Sequence, residues 1–273
     1  MGLYKNRTII YELTRKQVKT QYRDSTLGFL WTILNPLLNM LVMWVVFKTV
    51  LGIDDPYYPI YLLAGNVLFG ALRNSTTQAL PSMVNNRGLL LRTKIDLSVF
   101  PFSIAMTSMV NFAFSLIALV PFMIWLSIQQ GILLFTYRLA FILLMLPAFL
   151  LFEYGLGLLL SALFVFFRDL KHLYSVFLTL WQYTTPIFYT INRVGKDSIA
   201  YKVISLNPMF HFVNYFRDSV YRGATGIDVL GNNIGPFLPY WSTLGILYGF
   251  AAIFLIIGYI VFNALKSRII TKI

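Results

Sequence analysis

Six stretches of the sequence, approximately 27–51, 59–81, 99–126, 139–166, 171–191 and 239–265, each carry no more than one Asp, Glu, Lys or Arg. A helix rises about 1.5 Å per residue, so about 20 apolar residues cross a hydrocarbon layer of about 30 Å. All six are that long. Lipid offers no partner for backbone N–H and C=O groups, so such segments cross as helices that satisfy their own. The pattern predicts an all-α, polytopic membrane protein with six transmembrane helices. Composition agrees: 58% of the 273 residues are hydrophobic and 12% charged, where a soluble domain carries roughly 25% charged residues. A mean hydropathy of +0.71 excludes a soluble globular protein, a disordered chain and a nucleic-acid binder, even at a net charge of +12. Without cysteine there are no disulfides, thiolate metal sites or cysteine nucleophiles. His172 and His211 stand far apart, which argues against a histidine metal site.

Basic residues set the orientation. Lys5, Arg7, Arg15, Lys16, Lys19 and Arg23 precede the first span, and Arg87, Arg92 and Lys94 join spans two and three. Arg168 and Lys171 join spans four and five, and Lys266, Arg268 and Lys272 follow span six. All fall on one face of a six-span topology, and the positive-inside rule makes that face and both termini cytoplasmic. Residues 1–26 lack the apolar core of a signal peptide and read as a separate element. On a helix, Glu12, Arg15, Lys16, Lys19 and Arg23 fall within an arc of about 100°, with Ile9, Ile10, Tyr11, Leu13, Val18 and Tyr22 opposite. Such a basic amphipathic helix lies in the cytoplasmic membrane interface. Residues 27–273 form the membrane domain. In its outer loop, 192–238, Met209, Phe210, Phe212, Val213, Tyr215, Phe216 and Val220 form an apolar stretch too short to span. That stretch is expected as an interfacial or re-entrant helix on the outer face.

The chain carries no GxxxxGK[ST], HExxH or GxSxG pattern and no run of carboxylates suited to acid–base or metal chemistry. It therefore reads as no enzyme, without an ATP site of its own. Two ionisable groups sit deep in spans: Arg73 in the second and Glu153 in the fourth, at similar depth. Charges in lipid are costly, so they pair or they function. Either Arg73 pairs with Glu153, or Arg73 faces a pathway and meets a substrate phosphate. Span five holds Tyr174, Phe177, Trp181, Tyr183, Phe188 and Tyr189, whose faces can stack on sugar rings. Trp181 and Tyr183 lie about halfway along, too deep for an interfacial belt, whereas Phe188 and Tyr189 near the outer end also suit a belt. Pro36 and Pro186 each fall within a span and are expected to kink it.

Particular strings narrow the reading further. "YRDSTLGFLWTILNPLLNMLVMWVVF" (22–47) resembles the opening of the transmembrane subunit of ABC exporters for cell-surface polysaccharides. This family includes the O-antigen and capsule permeases and the wall-teichoic-acid permeases. The matching residues are Leu27, Gly28, Leu30, Trp31, Leu34, Asn35, Pro36 and Leu37. "NNRGLLLRTKIDLSVFPFSIAMTSMVNF" (85–112) is similar to the family's loop between spans two and three, with Asp96–Leu97 in place of a more basic or aromatic lead-in. "FFRDLKHLYSVFLTLWQYTTPIFY" (166–189) and "SLNPMFHFVNYFRDSVYRG" (205–223) follow in the family's order.

The resemblance implies a homodimer of this subunit joined to two copies of a separate ABC ATPase. That partner would bind ATP and Mg, with no cofactor in this chain. It implies export of an undecaprenyl-diphosphate-linked polysaccharide or wall teichoic acid across the bacterial cytoplasmic membrane. The coupling loop would be 85–98, with Arg87, Arg92, Lys94 and Asp96 making polar contacts with the ATPase and Leu89 and Leu90 filling its groove. Arg168 and Asp169 would form a second contact. Trp31 joins Trp181, Tyr183, Phe177, Phe188 and Tyr189 as candidate pathway lining. An ABC exporter of a drug or lipid, and a stand-alone membrane transferase acting on lipid-linked sugars, are the alternatives.

Overall fold

The computed structural model describes residues 6–22, 27–52, 55–92, 95–191, 198–226 and 241–272. These residues are all-helical, with no strand among them. Parts of the N-terminal segment and of the outer loop, together with Lys94, lie outside the described residues. In chain order the helices are α1 (Arg7–Tyr22), α2 (Trp31–Leu51), α3 (Tyr58–Ala79), α4 (Ser82–Asn85), α5 (Arg87–Arg92), α6 (Val99–Leu116) and α7 (Leu119–Gln130). There follow α8 (Phe141–Phe166), α9 (Leu170–Thr184), α10 (Ile199–Ser205), α11 (Pro208–Arg217), a π-helical turn Asp218–Arg222, α12 (Gly223–Thr225) and α13 (Trp241–Lys272).

Four helical stretches are long and apolar enough to cross a membrane: Trp31–Val50, Val99–Gln130, Tyr137–Phe166 and Trp241–Ile269. The second is α6 and α7 in sequence. Pro121 lacks an N–H and crowds the carbonyl four residues earlier, and the chain breaks there, at Ile117–Ala118. The other two expected spans differ from these four for separate reasons. The 22 residues of α3 reach about 33 Å, but Asn66, Arg73, Asn74, Thr77 and Gln78 lower its hydropathy. α9 has only 15 residues, about 22 Å. It stops because Pro186 biases Thr185 away from helical geometry, and Thr185 is extended (φ −87°, ψ 128°). Pro186 thus ends a helix rather than kinking one. Pro36 does lie inside α2; the carbonyl it frees, that of Thr32, accepts from Ser115 Oγ at 3.4 Å. A further proline, Pro147, lies inside α8.

α8 and α13 run side by side in the same direction: Tyr248 donates to the Leu144 carbonyl at 3.0 Å, and farther along both helices Gly258 meets Gly155. A Cβ on Gly155 would stand 2.6 Å from the Leu255 nitrogen, so only glycine permits this approach. Two parallel neighbours require the chain between them to travel back. α9 and 185–188 make that return beside α3 in antiparallel register, from Arg73–Gln182 to Tyr58–Phe188.

The stretch expected as an interfacial or re-entrant helix is packed inside the bundle. α11 is buried from Met209 to Arg217 except at His211, with Phe212 against Phe149 and Phe152, and Phe216 against Phe112. α1 is likewise docked. Thr14, Gln17 and Gln21, on one side of it, meet Ser103, Thr107 and Asn111 of α6. Its charges Glu12, Arg15, Lys16 and Lys19 stay exposed.

Candidate functional site

A cavity of about 520 Å³ opens among α2, α3, α6 and α9, with Gln21 of α1 at its edge. Its wall is unlike the rest of the molecule. Asn35 and Asn39 come from α2, Asn66, Asn74 and Gln78 from α3, Asn111 from α6 and Gln182 from α9. The spacing explains how helices deliver them: Asn35/Asn39 and Thr107/Asn111/Ser115 repeat every four residues, and Asn66, Gly70, Arg73, Asn74 and Gln78 share one face of α3. Trp31, Phe69, Phe112, Tyr183 and Phe188 supply aromatic surface. The sequence signal for this wall is carboxamides at helical spacing within apolar segments.

Arg73 is the charged side chain in this wall. Its Nη2 donates to Gln182 Oε1 at 2.5 Å, and the guanidinium lies 5.7 Å from the Phe69 ring centre. It does not pair with Glu153. That carboxyl is 1% exposed and outside the cavity lining. Its Oε1 lies 3.1 Å from Ser108 Oγ, which does line the cavity, and Oε2 has no hydrogen-bond partner.

The aromatic candidates divide. Trp31, Tyr183 and Phe188 line the cavity, and Tyr183 and Phe188 rings sit 5.7 Å apart. Trp181 does not: it is 8% exposed, and Nε1 donates to Asn207 Oδ1 at 2.7 Å. Asn207 also caps α11 by accepting from Met209 N at 3.0 Å and donates to Thr185 Oγ1 at 2.9 Å. Trp181 is deep because it braces the junction of α9 and α11. Phe177 packs beside it with one side open, and Tyr189 accepts from the Tyr61 hydroxyl through its carbonyl.

Arg217 was missed. An arginine in the apolar run 209–220 was its only mark in the sequence. It is fully buried. Nη1 donates to the Pro186 carbonyl at 2.8 Å and Nη2 to the Tyr61 carbonyl at 3.0 Å, and Cζ lies 3.4 Å from the Tyr61 ring centre. One side chain thus joins α11, α3 and the break after α9. Just beyond it, Arg222 and Asp218 form a buried pair at 2.9 Å.

The described candidate coupling residues gather at one end of the bundle. Asp96 pairs with Lys266 near the end of α13 at 3.1 Å, and Lys272 lies over Phe166, next to the Arg168–Asp169 turn. Arg87, Leu89, Arg168 and Asp169 are exposed, whereas Leu90 packs partly against the core. The Arg92 side chain lies outside the described residues. Among the described residues no three His, Cys, Asp or Glu side chains come together to hold a metal ion.

Residues 8–221 match the family model described as "ABC-2 type transporter". The chain is 32% identical over 226 residues to the O-antigen export system permease protein RfbA of Myxococcus xanthus, covering 81% of this chain and 83% of that protein. It is 26% identical over 260 residues to a protein of the same name from Klebsiella pneumoniae, covering 95% and 93%. The polysialic acid transport protein KpsM of Escherichia coli is 20% identical over 254 residues, covering 86% and 90%. A family match spanning most of the chain, and relatives aligned over most of their own lengths, place this protein in the ABC-2 type transporter family of membrane permeases.

Proposed function

We propose that this chain is the membrane subunit of an ATP-driven exporter that carries a lipid-linked polysaccharide from the cytoplasm to the outer face of the bacterial cytoplasmic membrane. The cavity carries the reading. A bundle whose outer surface is apolar has no physical reason to gather carboxamides, hydroxyls and one guanidinium between its helices unless something polar passes there. Carboxamides both donate and accept, as sugar hydroxyls do, and Trp31, Tyr183 and Phe188 offer stacking faces. The export permeases among its relatives favour the same cargo class.

The chain works as a homodimer with two copies of an ABC ATPase. The exposed faces of α2 and α9, including Val42, Val46, Val176 and Leu180, suit a second copy. α3 and the α9–185–191 return count as spans with the four apolar stretches, which makes six, puts both termini in the cytoplasm and makes α11 a re-entrant element. Segment 85–98 and the Arg168–Asp169 turn receive the ATPase. ATP binding and hydrolysis belong to that partner; this chain supplies the path.

The test is genetic. Deleting the gene removes the polysaccharide from the cell surface while lipid-linked polymer accumulates inside, and the wild-type gene restores it. Loss of drug tolerance or of a membrane lipid, with surface polysaccharide intact, would assign the chain to another cargo.

A further inference from the structure

Arg73 stands about 9 Å before the end of α3, where the chain turns into α4 and α5 with their exposed Arg87. It is therefore about two turns in from the basic end of the bundle. A guanidinium has five N–H donors in a planar fork, and Gln182 Oε1 takes one of them. The Gln182 amide nitrogen adds two donors beside it. No carboxylate lines the cavity among the described residues; Glu153 is held behind the wall at Ser108. A cation kept from its nearest acid, in a wall of low dielectric, leaves its charge for a ligand.

We propose that Arg73 and Gln182 form an oxyanion site in this cavity, taking a phosphate carried by the glycan substrate while the carboxamides of Asn35, Asn39 and Asn111 take the hydroxyls of the adjoining sugars. This rests on the reading of the cavity as the glycan path and adds to it the chemistry of the first contact. A planar fork matches a phosphate in two places at once, and the neighbouring Trp31 and Tyr183 faces receive the ring attached to it. The phosphate belongs either to the headgroup of the lipid carrier or to the glycan itself; both offer the same oxygens.

The full chain in lipid nanodiscs is titrated with maltose, maltose 1-phosphate and farnesyl diphosphate, reading the Trp31 fluorescence against a Trp31→Phe blank. Maltose 1-phosphate or farnesyl diphosphate binds the wild type more tightly than maltose. Arg73→Gln weakens the anionic probe at least tenfold and leaves maltose unchanged, and Arg73→Lys recovers part of the loss. A response confined to farnesyl diphosphate assigns the site to the carrier headgroup, and one confined to maltose 1-phosphate assigns it to the glycan. Equal binding of the anionic probes before and after Arg73→Gln, or an equal loss of maltose, overturns the anion site while leaving the glycan path standing. A wild-type chain that binds none of the three probes overturns both.

Discussion

Arg217 gives the sharpest test of how the bundle is held. Replacing it with methionine keeps most of the side-chain volume and removes the charge. Two short charge-assisted bonds are lost, to Pro186 at 2.8 Å and to Tyr61 at 3.0 Å. At about 1.5–3 kcal/mol each, that is about 3–6 kcal/mol. The Pro186 carbonyl keeps the Tyr61 hydroxyl at 2.8 Å, and the Tyr61 carbonyl keeps its place in α3, so neither is orphaned and the lower half of the range applies. For a chain near this size roughly 2–4 °C accompanies each kcal/mol, so Tm falls by about 10 °C. Heating the detergent-solubilised chain and measuring the monodisperse fraction reads this directly. Gly65→Ala should act in the same direction, because its Cβ would stand 2.7 Å from Arg217 Nη2. Unchanged stability in Arg217→Met refutes the claim that this side chain fastens α11 to α3 and to the break after α9.

Gly155→Val places methyl groups on the Leu255 backbone, 2.6 Å from where its Cβ must sit, so it should prevent stable accumulation, read by membrane expression against Gly249→Ala, which has open space. Trp181→Phe breaks the 2.7 Å bond to Asn207 and costs about 1–2 kcal/mol, lowering Tm while leaving export of the assembled protein intact; loss of export at normal stability would return Trp181 to the pathway. Asp96→Asn removes a partly exposed ion pair with Lys266 worth about 0–1 kcal/mol, so stability barely changes; a large fall in Tm would show the pair to be structural glue. Because the chain has no native cysteine, single cysteines at Asn39 and Ile256 can be labelled with a membrane-impermeant thiol reagent. Asn39, in the cavity wall, should react and Ile256, exposed among the apolar side chains of α13, should not.

The bundle was readable from apolar length because the bilayer fixes both the span and the need for helices. Length says nothing about which side of a helix faces inward. Trp181 and Tyr183 are two residues apart in one aromatic string, yet one is core and the other lines the cavity, since a step of two residues turns a helix about 200°. Arg73 and Glu153, expected at similar depth, do not meet, because α3 turns its arginine toward α9 and α8 turns its acid toward α6. Apolarity and length mark 209–220 as an interfacial or re-entrant helix; how deeply it is buried depends on long-range packing against α3 and α8, which local periodicity does not encode. Pro186 ends a helix instead of kinking it, and the Pro186 carbonyl at that break accepts from Arg217 and from the Tyr61 hydroxyl.

The claim that polymer moves through the carboxamide-lined cavity is tested most directly by trapping it there. A photoreactive side chain is placed at Asn39, or at Ile256 on the exposed face of α13, in inside-out vesicles holding the permease and its ATPase. With ATP, illumination should join glycan to the Asn39 position and not to Ile256. Export that proceeds with no glycan captured at Asn39, or with equal capture at Ile256, would contradict the account.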